Sequence, residues 1–159
     1  MRSPTMAVRL LEAAQNLLDN GGHSSAFRRR AVSTAYYAVF HAVDKLCADY
    51  VTHSASRTSD EYGRAYRALD HGSLKNAFKQ TPLKDIENLS KIGTIIVTLQ
   101  TERHDADYKP PIPGLFPKDR VDVLINMARE AIVEIEAMKV SHQDCRILAT
   151  SLLFKERKS

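Results

Sequence analysis

The sequence predicts an all-α protein: an antiparallel four- to five-helix bundle with short additional helices. Three observations predict it. Apolar residues recur with helical period through nearly every long segment. The one β-branched cluster, Thr94-Ile95-Ile96-Val97-Thr98, keeps helical period on both flanks and has no partner strand in view. The composition, 43% hydrophobic and 26% charged over 159 residues, is that of an ordinary globular chain.

The elements follow in order. From Thr5 to Asn20, Ala7, Leu10, Leu11, Ala14, Leu17 and Leu18 form one apolar stripe. Gly21 and Gly22 supply a stop, and Ser24 or Ser25 an N-cap. A second helix is predicted from about Ala26 to Tyr50. Phe27, Ala31, Ala35, Ala38, Ala42 and Leu46 form one apolar row on it; Tyr36, Phe40, Val43 and Cys47 form another. A helix apolar on two sides is a central one, and its alanines let neighbours approach closely.

Residues 51–60 have no period and read as a loop. EYGRAYRALD reads as a short helix, HGS as a turn and LKNAFKQ as a second short helix. Thr81-Pro82 reads as a helix start, with Thr81 as N-cap and Pro82 in the first turn. Leu83, Ile86, Leu89, Ile92, Ile96 and Leu99 then share a face of a helix ending near Tyr108. KPPIPGLFP breaks it, because proline lacks the amide a helix needs. A last long helix starts at Lys118 or Asp119, with Val121, Leu124, Ile125, Ala128, Ile132, Ile135 and Met138 inward. CRILATSLLF is a final apolar piece before a charged tail.

Length fits a single domain, 1–159, with residues 155–159 a flexible tail. No apolar run approaches the ~20 residues needed to cross a bilayer. Glu12 and Gln15 interrupt the N-terminal apolar stretch, which argues against a secretory signal. Two cysteines, Cys47 and Cys145, are too few for a disulfide scaffold. The expectation is a cytoplasmic, reduced protein with no membrane partner. A net charge of +4 permits a polyanionic partner without requiring one.

No Gly-rich phosphate loop, GxSxG elbow or zinc-type Cys/His spacing is present, so neither a cofactor nor a metal is expected. One cluster stands out: Glu102, Arg103, His104, Asp105 and Asp107 in TERHDADY. An Arg beside a His and carboxylates has the parts to hold a phosphate and move protons, as RNA cleavage through the 2′-hydroxyl requires. The same residues also suit an ordinary helix C-terminus, where cations are favoured. His41 reads as a buried structural histidine, and Tyr36 and Tyr37 as core aromatics with hydroxyls on polar partners. Arg28-Arg29-Arg30 points around the helix in ~100° steps and reads as a solvated helix start. Cys47 reads as a small buried apolar residue.

Two stretches, RRRAVSTAYYAVFHAV and RHDADY, resemble small bacterial HEPN-domain proteins of the branch with an R-x-x-A-D-Y motif. The resemblance covers roughly Ala26 to Tyr108, and His71 in DHGSLKNAF resembles the histidine that opens a middle segment in that family. It implies a helical bundle, a homodimer, and RNA or a nucleotide as ligand. Relatives of this kind include metal-independent ribonuclease toxins paired with a nucleotidyltransferase antitoxin.

Their signature is an Arg, a polar residue and, a few positions on, a His. Arg103 matches the Arg and His104 the polar position, but Asp107 and Tyr108 stand where the later His belongs. A carboxylate is an anion at neutral pH and donates no proton. The resemblance therefore implies binding of RNA, a nucleotide or a partner protein without catalysis. The alternative is a ribonuclease using Arg103 with His104 or His41. The residues expected to bind in the non-catalytic reading are Arg103, Asp107, Tyr108, His41, Tyr37, Arg64 and Arg67. Arg103 and Asp107, one helical turn apart, are expected to pair and close the helix end, with Tyr108 anchoring the loop beyond. Arg57, Arg64 and Arg67 are expected to supply a basic surface over the site.

Overall fold

A computed structural model describes residues 2–53 and 55–155. It is all-helical, with no strand among the described residues. Among the described residues seven α-helices run in the order α1 Met6–Asn20, α2 Ser25–Thr52, α3 Asp60–Tyr66, α4 His71–Phe78, α5 Glu87–Tyr108, α6 Lys118–Ala137 and α7 Gln143–Leu153. A short 3-10 turn, Leu83–Asp85, precedes α5.

The helices begin where side chains accept their first free amides. Thr5 Oγ1 accepts from the Val8 amide at 3.2 Å to start α1. Ser24 Oγ accepts from the Phe27 amide at 3.4 Å to start α2. Ser59 and Asp70 cap α3 and α4 in the same way, Asp70 accepting from the Ser73 amide at 2.7 Å.

Two expected boundaries shift for this reason. HGS is the first turn of α4 and not a free turn, because the Asp70 carboxylate fixes the helix one residue ahead of it. Thr81 is no N-cap, since its hydroxyl donates to Asp85 Oδ2 at 2.6 Å. Pro82 therefore opens only the 3-10 turn, and extended backbone at Ile86 (φ −99°, ψ 116°) separates it from α5. TIIVT is helical, inside α5.

The chain packs as two compact units, each assembled from separate stretches of sequence. The first unit holds Met1–Ala42 and Ile95–Val133. Its core takes Ala7, Leu11, Ala14 and Leu18 from α1, and Ala31, Val32, Ala35, Tyr36 and Val39 from α2. Ile96 and Leu99 join from α5, and Val121, Leu124, Ile125, Ala128 and Ile132 from α6. Most of the predicted stripe residues are buried, while Leu10, Leu17 and Phe40 are half-buried and one is exposed. Phe27 is 48% exposed, in the first turn of α2 beside Gly21. A side chain on Gly21 would strike Phe27 Cβ at 2.7 Å, so the chain turns there only on a glycine.

The second unit holds Val43–Thr94 and Glu134–Ser159. In it α4, α7 and the 3-10 turn pack together. Leu74, Phe78, Leu83, Leu89, Ile92, Cys145, Leu148 and Leu152 are buried. Gly93 on α5 gives room to Phe78: a Cβ there would lie 2.6 Å from the ring. Of the expected tail only Lys155 falls among the described residues, and its Nζ lies 3.4 Å from Asp70 Oδ2.

Candidate functional site

The last turns of α5 carry the motif residues, and α2 holds them in place within the first unit. Arg103 extends across the aromatic pair that the AYYA segment supplies. Its guanidinium carbon lies 5.3 Å from the Tyr36 ring centroid and 5.8 Å from that of Tyr37. The two rings meet edge to face at 5.3 Å. A guanidinium over ring faces is attracted by their negative quadrupole, and desolvation strengthens that attraction. The Arg103 side chain is only 14% exposed, so the attraction is not lost to water. Its Nη1 is 3.5 Å from Asp107 Oδ2, the i,i+4 pair that the spacing predicts. Ser33 Oγ donates to the same oxygen at 3.4 Å. Arg103 Nε is buried without a hydrogen-bond partner.

The Arg103–Asp107 pair forms as expected, but the last carbonyls of the helix are capped by Arg29. Arg29 Nη1 donates to the carbonyls of Ala106 at 3.2 Å and Lys109 at 2.5 Å, and Nη2 to that of Pro110 at 2.7 Å. The last carbonyls of a helix have no partners of their own, and a guanidinium fork satisfies them while opposing their partial negative charge. Arg29 thus has a tertiary role that the reading of Arg28-Arg29-Arg30 as a solvated helix start missed. Its partners lie 77 to 81 residues away, so no local pattern announces it.

Tyr108 is 68% exposed, its ring 4.9 Å from that of His104, also exposed. Lys109 lies beside them, with Nζ 3.2 Å from Asp105 Oδ2. Glu102 pairs with Arg120 of α6, whose guanidinium also lies 5.5 Å from the Phe116 ring. The loop beyond continues ordered: a turn closes from the Leu115 amide to the Ile112 carbonyl, with Gly114 at φ +77° as the residue that must be left-handed.

His41 is also in the first unit, on α2, half-buried. Burial lowers its pKa, which keeps the ring neutral at neutral pH. Arg57, Arg64 and Arg67 belong to the second unit, exposed, with Arg57 3.7 Å from Asp49. Cys47 is 1% exposed and burial pushes its thiol pKa up, so it packs as an apolar residue. The same unit contains a residue that no sequence pattern singles out. Asp44 is 3% exposed, its Oδ1 has no hydrogen-bond partner, and burial raises its pKa to about 8.

Among the described residues, no group of three or more His, Cys, Asp and Glu side chains is placed to hold a metal ion. No helix among them is long and apolar enough to cross a membrane. Compared with known proteins, the chain matches no family model, no curated protein and no solved structure.

Proposed function

We propose that the chain is a HEPN-like helical module that binds single-stranded RNA or a nucleotide at the end of α5 and does not cleave it. One observation carries the reading: Tyr108 is 68% exposed, its ring tilted against that of His104 at 4.9 Å, on a helix end held by Arg29. Exposed aromatic rings give bases a face to stack on, and nearby cations favour the phosphates. Lys109 is adjacent, and Arg30 is exposed in the same unit. Arg29 offsets the negative end of the helix, which would otherwise repel a polyanion.

The absence of cleavage rests on Arg103 and His41. Arg103 is engaged by two tyrosine rings and Asp107, with little of its charge left facing solvent. His41, neutral through burial, is a poor source of the acid that a leaving group needs. The motifs AYYAVFHA and RHDADY support the family reading. The homodimer and the nucleotidyltransferase partner rest on that resemblance alone.

The test is fluorescence anisotropy with a labelled single-stranded RNA in EDTA, followed by a denaturing gel of the same samples. Wild type is expected to bind and leave the RNA intact. Tyr108→Ala is expected to weaken binding about tenfold, the cost of one lost base stack. Cleavage that disappears in His104→Ala would establish the ribonuclease instead. Equal binding by wild type and Tyr108→Ala would remove the stacking role.

A further inference from the structure

A cavity of about 560 Å³ lies within the second unit, between the end of α2 and the segment that leads into α7. Tyr50 and His53 line it from one side; Ser141, His142, Gln143 and Arg146 line it from the other, with Val140. No carboxylate is among the lining residues. Asp144 lies beside one of them, its Oδ2 3.8 Å from His142 Nδ1. That same Nδ1 accepts from the Asp144 amide at 3.1 Å, so the ring proton of neutral His142 sits on Nε2 and Nε2 is a donor. Opposite, the Tyr50 and His53 rings are 6.1 Å apart.

We propose that this cavity binds the phosphate or diphosphate group of a small organic anion. The lining offers a guanidinium, two imidazoles, a phenol, a hydroxyl and a carboxamide. All of these donate hydrogen bonds, and the guanidinium fork matches a phosphate's oxygens in pairs. A divalent cation would need carboxylates or several neutral ligands converging on one point, and the lining has no carboxylate. The volume is that of a small-molecule site. Val140 and the Tyr50 ring give the organic part of the ligand an apolar face. The proposal uses no residue of the α5 site and stands or falls separately from the RNA reading.

His53 makes a clean test available. It is the one non-glycine residue with positive φ, at +50°, among the described residues, a conformation glycine adopts freely. His53→Gly therefore removes the imidazole and keeps the backbone. Arg146 is exposed, so Arg146→Gln removes the charge without opening the core. Isothermal titration with sodium pyrophosphate at constant ionic strength is the measurement, on the full chain. Wild type is expected to show saturable binding at one site per chain. Arg146→Gln is expected to bind about tenfold more weakly, the loss of a charge-assisted hydrogen bond. His53→Gly is expected to bind several-fold more weakly, with a melting temperature equal to or above that of wild type. No saturable binding up to about 10 mM pyrophosphate, or variants that bind as wild type does, overturns the proposal.

Discussion

Asp44 should make this protein lose stability as pH rises toward 8, and Asp44→Asn should abolish that loss. The carboxyl is 3% exposed, its Oδ1 has no hydrogen-bond partner, and burial lifts its pKa from 3.8 to about 8. A raised folded pKa means that the folded state holds the proton more tightly than the unfolded state. Stability is then full below the unfolded value, falls as pH climbs from about 4, and levels off above about 8. Where only the unfolded carboxyl is ionised, each further pH unit costs the folded state about 1.4 kcal/mol. From the unfolded pKa up to pH 7 that condition holds over about three pH units, with the folded carboxyl still mostly protonated. The cost to folding there is about 4 kcal/mol, a large share of the 5–15 kcal/mol typical of a domain.

An asparagine has nothing to ionise. Its amide still needs partners, which leaves an expected gain of about 2–4 kcal/mol at pH 7 and little at pH 4.5. For a chain of this length that is a rise in Tm of about 5–15 °C at pH 7. The assay is thermal and urea denaturation of both proteins from pH 4.5 to 8.5. The difference between them isolates Asp44, because other groups titrate equally in both. His41, its pKa lowered by burial, acts in the opposite direction: the stability it favours is lost as pH falls through the ordinary histidine range. Asp70, its carboxyl held low by the Ser73 amide and hydroxyl and by Lys155, loses its contribution only below the ordinary carboxylate range. A wild-type-to-variant difference that stays constant across the range would refute the reasoning.

Arg29→Ala should cost about 2–3 kcal/mol, since it strips charged donors from three carbonyls at once. Hydrogen exchange should rise over the last turn of α5 more than elsewhere, and an unchanged exchange rate there would remove the capping role. Gly93→Ala should cost about 1–3 kcal/mol by forcing the added methyl into the Phe78 ring. Phe78→Leu in the same chain should recover part of that loss in urea melts, a coupling that two unrelated defects would not show.

Much of the fold is legible in the residues. The stripes of α1, α5 and α6 are periodic over several turns, and burial follows them: Leu89, Ile92, Ile96 and Leu99 are all inside. The Arg103–Asp107 pair was legible for the same reason, since a spacing of four on a helix is a contact. Short elements were harder. The start of α4 turns on one carboxylate, Asp70, and Thr81 starts no helix because its hydroxyl donates to Asp85. Competing hydrogen bonds of similar energy decide such points.

Other features were decided only in three dimensions. Arg29 looks like one of three equivalent arginines until α5 ends beside it, and Asp44 looks like any helical acid until the second unit closes around it. Tyr50 and His53 line one cavity with Val140, Ser141, His142, Gln143 and Arg146, across almost ninety positions of chain. Local periodicity records which face of a helix avoids water, because that face repeats every three or four residues. It carries no record of which distant helix will cover the face, and so none of the charge, exposure or company that a given side chain acquires there.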